Sequence, residues 1–146
     1  MLILLFLLLL VVPVAAESQV MLAVDGVVCG SQFLDPEVNH PAGGEFNRSP
    51  RSNGGASYDD LKTETHVEVS PEEKITRVRG AELSVGGKLL VRRGETLALY
   101  EKRLGKLLPG QKSPFQTRFG RVKVDFKLEK GKVVDIDLRF VPGQSR

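Results

Sequence analysis

Tryptophan is absent from this chain, cysteine occurs once, and histidine and tyrosine occur twice each in 146 residues. A single cysteine cannot build an intrachain disulfide framework or a Cys-based zinc site. With so few rings, a core has to come mostly from Val, Leu, Ile and Phe. Chemistry-bearing motifs are missing as well. No Gly-x-Ser-x-Gly turn presents a nucleophile. Gly86-Gly87 leads into a strand pattern and not a helix, so no glycine loop cradles phosphate at a helix N-terminus. Cys29 follows Val27-Val28, and an apolar setting raises a thiol's pKa and quenches it; it is expected to be buried and inert. Asp35, Glu37, His40 and Glu45 could gather around a cation, but acids and histidine in a Gly/Pro-rich stretch are ordinarily solvated. No catalytic residue, metal site or cofactor is expected.

Charge is also missing from Met1 to Ala16. Leu2 to Val12 is an almost unbroken apolar run, broken by Pro13 and followed by Val14-Ala15-Ala16 before Glu17. An apolar segment ahead of small residues is the layout of a secretory signal peptide, here 1–16 with cleavage after Ala16. The positive end is supplied by the α-amino group alone. The run falls short of the roughly 18–20 residues that cross a bilayer, so no transmembrane span is expected after cleavage. Cys29 lies too far along for a lipid anchor. The expected product is an exported protein, periplasmic or secreted, of 130 residues (146 less 16), enough for one domain with a modest core.

The net charge of +3 conceals an imbalance: residues 17–73 sum to −8 and residues 74–146 to +11. Either the two halves fold together and their fields cancel, or the basic half offers a face to an anionic partner such as a membrane surface, a cell-wall polymer or an acidic protein. The candidate binding residues are Arg92 and Arg93 ahead of a helix, Lys102, Arg103 and Lys106 on or after it, and Arg118 and Arg121 before the last hairpin. Arginine pairs suit bidentate recognition of carboxylate or phosphate. Export argues against a nucleic-acid partner.

The elements follow from period and punctuation. Val20 to Cys29 reads as a first strand with a tight turn at Asp25-Gly26. Breakers crowd residues 30–60, and no hydrophobic period survives there, so 17–60 reads as one strand plus a long flexible loop. From Leu61 to Val69 apolar and polar residues alternate as in a half-buried strand. Ser70-Pro71-Glu72-Glu73 turns the chain into a return strand from Lys74 to Val78. Glu82–Val85 and Lys88–Val91 pair about Gly86-Gly87. Leu97, Tyr100, Leu104 and Leu107/Leu108 form a helical stripe, with Thr96 or Glu95 at its start and Gly105 as its left-handed stop. Val122, Val124, Phe126 and Leu128 face Val134, Ile136, Leu138 and Phe140 across a closing ribbon. Burying that side is worth roughly 1.5–3 kcal/mol per large side chain, and the helix is its natural cover. A short likeness between 69–78 and 128–136 suggests two similar hairpins. The expected fold is α+β over 61–146: antiparallel hairpins in one sheet, packed by a single amphipathic helix.

Gly94-Glu95, Arg103-Leu104-Gly105 and Gly131-Lys132-Val133-Val134-Asp135-Ile136 give 94–140 a resemblance to the small envelope domains of the BamE (SmpA/OmlA) type. It also resembles the β-lactamase-inhibitor-protein family, which uses such a helix-then-hairpin core twice. The resemblance covers about a third of the chain; the lipobox of the BamE-type lipoproteins is missing, and strands stand where those domains have another helix. It implies a non-catalytic role in binding or assembly and carries over no site residues. The expected function is therefore that of a non-enzymatic exported domain, binding a protein or an anionic cell-envelope component. The alternative is a secreted inhibitor or immunity-type protein that occludes a partner enzyme with its sheet or its 30–60 segment. A hydrolase using the loop acids and His40 is a distant third.

Overall fold

A computed structural model describes residues 20–143; the leader and its cleavage point lie outside the described residues. Three two-residue turns have positive φ at both positions: Asp25-Gly26 (51° and 83°), Gly86-Gly87 (56° and 81°) and Lys130-Gly131 (52° and 76°). That is the turn whose twist matches paired antiparallel strands. They join β1 (Leu22–Val24) to β2 (Val27–Val28), β7 (Glu82–Val85) to β8 (Lys88–Arg92), and β10 (Gly120–Glu129) to β11 (Lys132–Val141). A longer turn links β5 (His66–Val69) to β6 (Ile75–Gly80). The rest is β3 (Phe46–Pro50), β4 (Ala56–Asp60), the helix α1 (Leu97–Leu107) and β9 (Phe115–Thr117).

The strands form two antiparallel sheets, not one: β2-β1-β7-β8, and β3-β4-β5-β6-β11-β10-β9. Each has an apolar face, and the two faces meet. Leu22, Val24, Val27, Leu83 and Val85 from the smaller sheet share one core with Val67, Val69, Ile75, Val78, Val122, Ile136 and Leu138 from the larger. This corrects the expectation that the helix covers the ribbon. Eleven helical residues extend only about 16 Å, whereas a ten-residue strand runs about 33 Å. The helix packs beside β8 and buries Tyr100 alone among its residues, with that ring 4.8 Å from Phe126. It plugs one side of the sandwich.

Other boundaries move for local reasons. The side chain of Thr96 caps α1 by accepting the N–H of Leu99 at 3.3 Å. The helix runs through Gly105 and ends at Leu108, whose N–H donates to Leu104; Gly110, with φ 75°, is the first left-handed glycine beyond it. Leu61 does not begin a strand. It is 67% exposed and sits in the turn after β4, and the buried alternation starts at Thr65, Val67 and Val69.

The 30–60 stretch is not a continuous loop. Asn39 is buried and fully satisfied: its Oδ1 accepts the Val28 N–H at 2.7 Å, and its Nδ2 donates to Ser31 Oγ and the Gln32 carbonyl. The breakers fall at Gly43-Gly44 and Asn53-Gly54-Gly55, and the segments between them pair as β3 and β4.

Each of three hairpins carries an extra residue on its return strand. Thr76, Leu90 and Val134 have no cross-strand partner, because the register slips at Glu68/Val69, Leu83/Ser84 and Lys127/Leu128. Such bulges flip the side-chain phase beyond them, which is why Val133 and not Val134 is buried. Thr76 and Val134 occupy matching places in the two similar hairpins.

Candidate functional site

The seven basic candidates do not converge. Arg103 is already engaged: its guanidinium holds the Glu95 carboxylate at 2.7 and 3.1 Å and also donates to the carbonyl of Leu90, a bulge residue. The hydrogen bonds from Arg103, against the opposing effect of burial and with help from the Arg92 N–H, hold the Glu95 carboxyl below its usual range. Arg93 donates from Nε to the Val134 carbonyl at 2.8 Å, again at a bulge, and lies 3.8 Å from Glu64. These two arginines satisfy backbone acceptors that the bulges leave open. Arg92, at the end of β8, is exposed beside Glu95. Lys102 and Lys106 are exposed one turn apart on α1. Arg118 and Arg121 are exposed near the β9–β10 turn, where the Arg118 N–H reaches the Val20 carbonyl. Lys102, Lys106, Arg118 and Arg121 make no salt bridge among the described residues. Arg92 and Arg93 sit at the opposite end of β8 from Lys88, whose turn adjoins Val20 and the C-terminus of α1.

Acids and bases pair across the outer face of the larger sheet, once between the two halves and otherwise within them. Glu68 of the acidic half receives Arg77 at 3.2 Å and Arg51 at 2.7 Å, and Arg77 also clasps Asp137. Arg79 meets Asp135. His66 stands between Asp59 and Glu68, one ring nitrogen toward each, at 2.7 and 3.1 Å. Burial pushes the Glu68 carboxyl up, but His66, Arg51 and Arg77 outweigh it and hold the group below its usual range. Of these pairs Glu68–Arg77 joins the acidic and basic halves, as does the longer Arg93–Glu64 contact, while the others pair groups within one half. Lys102, Lys106, Arg118 and Arg121 are among the cations left unpaired among the described residues.

Two polar clusters that the sequence did not reveal are architectural. Asp25 joins the sheets: its carboxylate accepts the Thr65 hydroxyl at 2.6 Å and the N–H groups of Ala81 and Glu82 at 3.2 and 3.0 Å. Gly80 must lack a side chain, because a Cβ there would fall on that carboxylate. Asp60 is buried. Burial pushes its carboxyl up, but the N–H groups of Lys62, Thr63, Gly44 and Glu45 outweigh this and hold it below its usual range. Among the described residues no three His, Cys, Asp or Glu side chains are placed to hold a metal ion, so the loop acids and His40 do not gather into such a site. Cys29 is fully buried, and burial pushes its thiol up to about 12. His40 instead lines a concavity of about 260 Å³ with Met21, Ala23, Val28 and Val38 on the outer side of the smaller sheet.

The larger sheet outreaches its cover. On β3 no residue is buried, and on β4 only Ala56 and Asp60 are. The apolar face there is shielded by one residue from the preceding loop: Phe33 stacks on Tyr58 at 4.2 Å and meets Phe46 edge-on at 5.3 Å. Leu34 beside it is 75% exposed. Three aromatic rings among residues 33–58, otherwise poor in large apolar side chains, are the signal that could have marked this overhang. No family model, curated protein or solved structure matches the chain. Among the described residues no helix is long and apolar enough to cross a membrane.

Proposed function

We propose that the chain is a non-enzymatic exported domain that binds a protein or an anionic component of the cell envelope. The observation that carries this reading is the excess of exposed cations without a carboxylate partner among the described residues, Lys102, Lys106, Arg118 and Arg121 among them, in a domain whose other arginines are largely paired. An anionic surface or an acidic partner would neutralise them at little desolvation cost. The likeness of 94–140 to BamE-type domains is consistent with such an accessory role, since α1 precedes the β10–β11 hairpin in the order those domains use. The test is retention on isolated envelope fractions across a salt series, comparing the native chain with a Lys102→Glu/Lys106→Glu variant. Retention should fall with salt and fall further in the variant; identical curves would end the cationic reading.

The second reading, an inhibitor or immunity-type protein, is favoured by a different observation: the β3–β4 overhang, with its partly exposed rings. Its test is formation of a stoichiometric complex with one enzyme, abolished by removing residues 35–55 while the rest of the chain stays folded.

A further inference from the structure

Among the described residues the two sheets have four edges, and that of β3 is the most open, guarded only by Arg48 and Pro50. β2 has two residues, and the Asn39 side chain occupies its Val28 N–H. β9 has three residues. β8 is flanked by α1, and its Leu90 carbonyl is taken by Arg103. β3 has five residues and pairs on one side only, with β4. Its register fixes which backbone groups are spare. The Arg51 N–H donates to the Gly55 carbonyl and the Leu61 N–H to the Glu45 carbonyl, so residues 45, 47, 49 and 51 turn their polar groups toward β4. By alternation along the strand, the N–H groups of Phe46 and Arg48 and the carbonyls of Phe46, Arg48 and Pro50 point away from the sheet.

We propose that this edge accepts an extended acidic segment of a partner protein as an added strand. The inference rests on the binding-domain reading above and names the kind of partner. Strand addition draws affinity from main-chain hydrogen bonds and selectivity from alternate side chains, and here Arg48 sets the selectivity. It is the one charged residue on β3, it is exposed, and it makes no ion pair among the described residues. A second copy of the chain fits poorly. Two-fold pairing of β3 with itself would set Arg48 against Arg48 and Phe46 against Pro50, which has no N–H. Like charges directly opposite each other are unfavourable, and each proline removes a ladder bond. A foreign strand with a carboxylate opposite Arg48 avoids the like-charge clash and meets the missing Pro50 N–H once instead of twice.

The probe is the capped peptide Thr-Val-Thr-Glu-Thr-Val-Thr, titrated into the purified protein while amide hydrogen exchange is followed residue by residue. Exchange should slow at Phe46 and Arg48. Binding should vanish when alternate peptide amides are N-methylated, and it should weaken about fivefold when the central Glu is replaced by Lys. An Arg48→Glu protein should prefer the Lys peptide. Unchanged exchange at both amides, equal binding of the N-methylated peptide, indifference to the charge swap, or protection of these amides by self-association without peptide would each overturn the proposal. The Lys102→Glu/Lys106→Glu variant separates it from the parent reading: peptide binding should survive there, and envelope retention that persists when the peptide fails would remove strand addition alone.

Discussion

The hairpins β10–β11 and β3–β4 are built into the same sheet but differ in what lies over them. The first buries Val122, Val124, Val133, Ile136 and Leu138 beneath the smaller sheet. The second reaches past that sheet and buries only Ala56 and Asp60, relying on Phe33 as a partial lid. Both are paired along their length, apart from the bulge at Val134. What differs is apolar burial, and with it the share of stability each region supplies and the surface each leaves for a partner. Truncation exposes the contrast most strongly. Ile136→Ala should cost about 2–5 kcal/mol, a transfer loss plus an unfilled cavity. Phe46→Ala, at a half-exposed ring, should cost about 1 kcal/mol. Denaturant titration of both variants checks this, and equal losses would erase the distinction.

The same difference decided what the sequence revealed. The ribbon is covered on one side, so selection for a buried face wrote a period of two into 122–140, and its turn and strands are legible. The bulge at Val134 was not, because one inserted residue reverses the phase without altering composition. The overhang has no cover to impose a period. Arg48, Ser49, Ser57 and Asp59 read as loop, and the pairing that makes them strand is non-local. The four-stranded cover was hidden because β1 and β2 lie far along the chain from β7 and β8. Of the basic candidates, sequence located the residues but could not show that Arg93 and Arg103 are spent on bulge carbonyls, whose positions depend on register.

Asp25 sits where the covering sheet meets the larger one, so it tests whether the seam holds the cover in place. Asp25→Ala removes the acceptor for two backbone N–H groups and the Thr65 hydroxyl and should cost about 2 kcal/mol. Gly80→Ala should cost a similar amount, because its methyl group would occupy the carboxylate's position. The two losses should be less than additive: removing the carboxylate clears the nearest contact, although Val24 Cγ1 at 2.7 Å still crowds the methyl, and a double-mutant cycle should show coupling of about 1 kcal/mol. Simple additivity would mean that Val24, and not Asp25, sets the constraint on Gly80.

The two limbs of the pH–stability curve should report the two regions separately. Cys29 and Tyr100, both in the covered core, have folded pKa values pushed up to about 12 by burial, from ordinary values of 9.0 and 10.0. The unfolded chain loses these protons first, so stability should decline as pH climbs from about 9 toward 12. Asp60, in the overhang, is held below its ordinary 3.8. Its contribution is fully present above that value and is lost as pH falls through the lower folded pKa. Thermal unfolding across pH should therefore show an alkaline decline blunted by Cys29→Ala and an acid decline blunted by Asp60→Asn. An acid limb unchanged in Asp60→Asn would assign it to Glu68 and Glu95, which are also held low.

The smallest expected effect is the sharpest check on the overhang. Leu34 and Leu61 are 75% and 67% exposed, so Leu34→Ser and Leu61→Ser remove little buried apolar surface and should each change stability by less than about 0.5 kcal/mol. Solvent reaches both side chains in the isolated protein. If either substitution cost well over 1 kcal/mol, with a loss that grew with protein concentration, the overhang would be covered by a second copy in solution. The contrast between a covered ribbon and an open hairpin would then fail, and the β3 edge would not be available to any other strand.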